Sequence, residues 1–189
     1  DGKYHETPEM MASTISRFVD AGWVNLVGGC CGTGPEHIRL LAQAVAGKLP
    51  RKPVQSHQTR VSGIETLVID QDVRPVIVGE RTNVLGSRQF RRFIGQGKYE
   101  EGAEIGRRQV RSGAHLLDVC LQDPDRDELA DVTAFLDILT RKVKTPIMID
   151  STDSRVIEEA LKRLQGKSII NSINLEDGEA RFQAVVPLA

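Results

Sequence analysis

PIMIDSTDSRVIEEALK, residues 146–162, is the stretch on which the fold reading rests. It opens with a short apolar run that stops at Asp150, as a strand buried on both faces does. After Asp150 the period changes. Ile157, Ala160, Leu161 and Leu164 fall three and four apart, on one face of a helix that starts at Ser154 and stops at Gly166. The unit is a buried strand, a polar residue at its C-terminal end, and an amphipathic helix.

The same unit recurs on both sides. PVIVGE (75–80), HLLDVCL (115–121) and SIINSIN (168–174) are further short runs rich in isoleucine and valine. Between them, Tyr99, Ala103, Gly106 and Val110 share one helical face. Leu129, Val132, Leu136, Leu139 and Val143 stripe another helix, expected to open at Asp123-Pro124. Repeated strand–helix units predict a parallel sheet with right-handed crossovers. A doubly wound nucleotide fold is the competitor, but GERTNVLG after the first strand lacks the Gly-x-Gly-x-x-Gly phosphate turn. The expected fold is therefore α/β of the (β/α)8 TIM-barrel type, with about four strand–helix units present.

Polar residues fall at corresponding places. Glu80, Asp118, Asp150 and Asn171 each sit near the C-terminal end of an expected strand, which in a β/α barrel is the active-site face. Taken singly, each is equally well a helix cap or turn residue. Four in register predict a shared pocket.

Upstream, Thr7-Pro8 reads as a helix start, and Met11, Ile15, Phe18 and Val19 keep one apolar face until Ala21-Gly22. WVNLVGG (23–29) reads as a short buried strand, with Trp23 packing at the helix–strand junction. Thr33-Gly34-Pro35-Glu36 resembles a capping box for a helix carrying Ile38, Leu41, Ala42 and Val45. One helix, one strand and one helix are too little for a domain. Residues 48–74 are polar and proline-bearing, and read as a linker whose second half packs on its neighbour. The expected organisation is the end of one barrel (1–47), a linker (48–74) and the first half of another barrel (75–189).

Cys30 and Cys31 follow two glycines at the end of the first expected strand. Adjacent cysteines are poor disulfide partners, because the required Cα separation is hard to reach across one peptide. Two uses remain: small buried hydrophobes, or paired thiolates on a soft cation such as zinc. Cys120 reads as a buried thiol or pocket-wall residue. His5, His37, His57 and His115 form no metal-ligand spacing, and Arg88, Arg91, Arg92, Arg107, Arg108 and Arg111 read as solvated helix faces. A formal net charge of −1 and few aromatics argue against nucleic acid or an anionic membrane as partner. Three cysteines do not make a disulfide framework, so a cytoplasmic setting is expected. Neither DGKYHETPEM nor FQAVVPLA reads as a natural terminus, so a piece of a longer protein is expected.

Against this reading, VNLVGGCCGTGPEHI resembles the closing strand and loop of the homocysteine-binding barrel of thiol-activating methyltransferases. VGERTNVLGSRQF, LLDVCLQDPDRDE, PIMIDSTDSRVIEEALK and GKSIINSIN resemble the opening half of a pterin-binding barrel. The order, with a linker between, is similar to that of the cobalamin-dependent methionine synthase family. The resemblance implies methyl transfer from methyltetrahydrofolate through cobalamin to homocysteine. It implies zinc on Cys30 and Cys31, with the family's remaining cysteine ligand outside this chain. It also implies a pterin site in which Asp150 and Asn171 hydrogen-bond the ring while Glu80, Asn83 and Asp118 line the pocket, and a cobalamin-binding module elsewhere in the same polypeptide. Cys120 stands where the family often has asparagine. On this resemblance the piece alone is expected to be inactive. The alternatives are a pterin-binding corrinoid methyltransferase, a dihydropteroate synthase relative, or a non-catalytic zinc-binding scaffold.

Overall fold

A computed structural model describes residues 4–54, 57–175 and 178–189. The chain divides into two compact units, Asp1–Ser56 and His57–Ala189.

The first unit is a helical pair. Helix α1 (Pro8–Asp20) is capped by the Thr7 side chain, which accepts from the Met10 amide at 3.3 Å, and Pro8 supplies the fixed φ of the first turn. Helix α2 (Pro35–Val45) packs against it and buries Leu41. The expected strand at residues 23–29 is not formed: no residue of this unit is assigned to a sheet among those described. An extended segment becomes a strand only where a neighbour completes its ladder, and this one has none within its unit. Trp23 likewise is not packed at a junction; it stacks on Phe18 with ring centroids 5.8 Å apart and stays 66% exposed.

The second unit begins with a hairpin, β1 (Arg60–Ser62) and β2 (Thr66–Val68). It lies against the entry ends of later strands: the Ser62 amide donates to Lys167 O at 2.9 Å and the Glu65 amide to Lys144 O at 3.1 Å. Strand β3 (Val78–Asn83) follows, then α3 (Arg88–Gly95), α4 (Tyr99–Arg111), β4 (Leu116–Cys120), α5 (Glu128–Leu139), β5 (Ile147–Asp150), α6 (Ser154–Arg163), β6 (Ile169–Asn171) and α7 (Ala180–Val185). The four long-range strands pair in sequence order, β3-β4-β5-β6, and every pairing is parallel. This is the α/β barrel-type arrangement, present as part of a barrel.

Boundaries depart from the sequence pattern for local reasons. Strand β3 starts and ends three residues later than the apolar run, because the Ile77 amide is taken by His115 Nδ1 and pairing resumes through Thr82 and Asn83 after a register shift. Helix α5 does not open at Asp123-Pro124. Asp123 is held by Arg91, and the cap is Asp127, whose carboxylate accepts from the Ala130 amide at 3.1 Å. Helix α3 is an extra element between β3 and the helix that covers it. Ser87 caps α3, and Phe90 and Ile94 drive it into the core.

The core lies between the sheet and α3–α6. Phe90 and Phe135 meet edge to face at 5.1 Å, over Ile94, Leu117, Val119, Leu136 and Leu139. Gly106 lets α4 sit close on the sheet, since a Cβ there would stand 2.9 Å from Leu139 and 3.1 Å from Leu117.

One ionic cluster is built into this packing. Asp131 on α5, 3% exposed, accepts two bonds from Arg126 at 2.6 and 2.7 Å and one from the Tyr99 hydroxyl at 2.7 Å. Removing the carboxylate strands a guanidinium and a phenol together. Asp131→Ala should destabilise the second unit by roughly 3 kcal/mol in urea unfolding, whereas an exposed pair such as Glu158–Lys162 should matter by less than about 1 kcal/mol.

Candidate functional site

Parallel pairing delivers four polar side chains to one rim. Asp150 and Asn171 are the last residues of β5 and β6 and face each other in register. Asp118 lies two residues before the end of β4, and Asn83 ends β3 opposite Cys120. At their centre is the Asn83 amide. Its Nδ2 donates to Asp118 Oδ2 at 2.9 Å and to Asp150 Oδ2 at 3.2 Å. Its Oδ1 accepts from the Leu85 and Gly86 amides at 2.8 and 3.0 Å, which fixes which way the amide points. Asn83 thus ties two carboxylates together and has no donor left over.

The electrostatics match that geometry. Asp118 is 3% exposed, and desolvation pushes its carboxyl up to about 6; the Asn83 bond opposes this, while Asp150 and Glu80 add like charge. Asp150 is raised for the same leading reason, burial, and also feels Glu80. Oδ1 of Asp118 is buried without a hydrogen-bond partner. Glu80 is exposed and sits in the middle of β3, short of its end, so it enters the site as a neighbouring charge.

Cys120 belongs to the site as well. Burial pushes its thiol up to about 12, so it remains a weak donor, and it bonds toward Asp150. Glu128, at the start of α5, is a neighbour that strand periodicity does not reveal. Its carboxyl is raised by burial, Asp153 and Asp150 add like charge, and its Oε1 has no partner. Its only sequence signal is a glutamate following a cap.

In the first unit, Cys30 and Cys31 are exposed, with sulfurs 3.8 Å apart. Their loop is closed by a reciprocal pair: the Cys30 amide donates to Thr33 Oγ1 and the Thr33 amide to Cys30 O, each at 3.0 Å. The expected Thr33–Glu36 capping box is therefore not made. Instead His37 Nδ1 accepts from the Gly34 amide at 3.1 Å, and Glu36 pairs with Arg39. The thiols border a cavity of about 370 Å³ whose wall includes Tyr4, Met11, Ile15 and His37. Two ligands of a tetrahedral zinc, at about 2.3 Å from the metal, stand about 3.8 Å apart, so the pair fits two corners of such a site. His37 is not a third ligand in this state, because its Nδ1 lone pair is engaged and its Nε2 faces Glu6 O at 3.4 Å. Among the described residues no group of three His, Cys, Asp or Glu is arranged to hold a metal ion.

A parallel strand–helix sheet with polar side chains gathered at its C-terminal rim defines an α/β-barrel-type enzyme domain. Residues 79–189 match the family model described as pterin binding enzyme, and the chain belongs to that family. Residues 1–45 match the model described as homocysteine S-methyltransferase. The two matches together give the chain a methyltransferase-related function. No helix is long and apolar enough to cross a membrane among the described residues.

The rim electrostatics have a measurable consequence. An unfolded Asp118 titrates near 3.8, and the folded one near 6. Its stabilising state is the protonated one: the penalty for ionising it is absent below about pH 4 and complete above about pH 6. Asp118→Asn should therefore stabilise the second unit by on the order of 2–3 kcal/mol at pH 8 and by almost nothing at pH 4, in urea titrations at the two pH values.

Proposed function

We propose that this chain carries two substrate sites of a methyl transfer from methyltetrahydrofolate, through cobalamin on a separate module of the same polypeptide, to homocysteine, giving methionine. The observation that carries the reading is the occurrence on one chain, in this order, of a homocysteine S-methyltransferase segment containing the thiol pair and a pterin-binding segment containing the polar rim.

In this reading Cys30 and Cys31 hold zinc together with a third thiolate from outside these residues. When bound, the metal supplies the positive charge that keeps a thiol ionised at neutral pH. The Thr33–Cys30 bonds fix the loop so that both sulfurs stay at the cavity, and Tyr4, Met11 and Ile15 offer an apolar wall to the substrate's methylene chain.

At the rim, Asp150 is a rigid acceptor for ring N–H groups, because its backbone is fixed by a buried strand. Asn171 both donates and accepts, as a ring with mixed donors and acceptors requires. Asn83 acts behind them. By spending its donors on Asp118 and Asp150 it sets both carboxylates, and the Asn171 side chain also bonds toward Asp118. An amine is a poor leaving group, so the pterin nitrogen must gain a proton as the methyl departs; raised carboxyl groups in the pocket suit that demand.

Two measurements test this. Asp150→Asn keeps shape but turns an acceptor into a donor, a buried mismatch of roughly 1–3 kcal/mol. Methyltetrahydrofolate should bind this variant about ten- to a hundredfold more weakly by calorimetry, and undiminished binding would remove Asp150 from the site. Zinc titrated against a chromophoric chelator should bind the chain weakly, and Cys30→Ala or Cys31→Ala should abolish it. Tight stoichiometric binding would mean that a third ligand lies within the chain.

A further inference from the structure

Nothing in sequence spacing singles out Arg181, ten residues beyond the end of β6. In the structure its guanidinium donates, among the described residues, to three main-chain carbonyls. Nε donates to Ser172 O at 2.8 Å, Nη2 to Ser151 O at 2.7 Å, and Nη1 to Thr152 O. Ser151 and Thr152 directly follow Asp150, and Ser172 directly follows Asn171. One planar fork therefore joins the two loops that begin at the two candidate pterin contacts. The Ser151 amide closes the same junction by donating to Asn171 O at 3.0 Å. The clamp has a firm base, because Val185 on the same short helix is fully buried.

We propose that Arg181 is a positioning residue for the pterin site: it fixes the separation and orientation of Asp150 and Asn171 by holding their following carbonyls. This rests on the reading that those two residues contact a pterin. The chemistry favours arginine. Three carbonyls from two loops need donors that diverge in one rigid plane, which a guanidinium offers; an ammonium is a compact charge on a flexible stem. The clamp itself touches neither side chain, since all three of its acceptors are backbone carbonyls.

The alternative is an arginine that merely glues loops for stability. The two differ in what a substitution does to the folded protein. Arg181→Ala and Arg181→Lys are compared with the unaltered chain by hydrogen exchange, thermal melting and methyltetrahydrofolate titration, each also in the Asp150→Asn background. On the clamp, Arg181→Ala accelerates exchange at the Ser151 and Asp153 amides by about tenfold while the amides of β4 and α5 are unchanged. It weakens methyltetrahydrofolate binding by about tenfold, Arg181→Lys recovers part of that loss, and the loss largely disappears when Asp150 is already Asn, as coupled sites require. A lowered melting temperature with unchanged affinity, or an equal loss in both backgrounds, overturns the proposal. If the unaltered chain binds no methyltetrahydrofolate, the pterin reading fails separately, and exchange alone decides the clamp: local acceleration upholds it and unchanged exchange overturns it.

Discussion

The amide of Asn83 is the constraint around which the second unit is arranged. A single Nδ2 touches two carboxylates that arrive on different strands, Asp118 from β4 and Asp150 from β5. That depends on β3, β4 and β5 running parallel with their C-terminal ends level, the register shift in β3 bringing Asn83 opposite Cys120. The amide cannot turn to relieve the crowding, since its oxygen is pinned by the Leu85 and Gly86 amides at the start of the loop leading to α3. Sheet register, loop conformation and the separation of two acids are thus one problem with one solution. A slip in register would part the amide from its acids and leave buried charges without donors.

The arrangement opposes stability, and that is informative. Two carboxyl groups are gathered under burial, with Glu80 adding like charge, and one is driven to about 6. A chain selected only to fold would place apolar side chains here, as it does on the other face of the same strands with Leu117, Val119 and Ile149. Unfavourable electrostatics concentrated at the C-terminal ends of parallel strands are what a ligand with complementary N–H groups would relieve.

How much of this was legible in the sequence follows from the range of the interactions. The strands were legible because short isoleucine and valine runs such as IMI, bounded by polar residues and helical periods, repeat along the chain. Asp150 and Asn171 were legible because each stops its run. The strand at 23–29 was misread because the apolar signal is intrinsic whereas a strand depends on its neighbour. The opening of α5 was misplaced because Asp123 and Asp127 are equally good caps in sequence, and Asp123 is instead engaged by Arg91 and by the turn at Asp125 and Arg126. Helix α3, the bond from Cys120 toward Asp150, the approach of Glu128 and the reach of Arg181 depend on contacts across the sheet or between loops, for which one sequence carries no period.

The same distinction separates the two candidate sites. The thiol pair is a local device: two adjacent residues, a glycine-flanked turn and a threonine two positions on establish the 3.8 Å sulfur separation without any long-range contact. The polar rim is the reverse, drawing residues 83, 118, 150 and 171 from four strands, and it exists only when the sheet is paired. Loss of sheet order therefore disperses the rim while leaving the thiols near one another. On the proposed reading, the thiol pair would survive partial unfolding, whereas the rim could receive a planar ring only in the folded sheet. The proposed metal half-site and the proposed pterin site would thus be physically separable, set by different ranges of interaction.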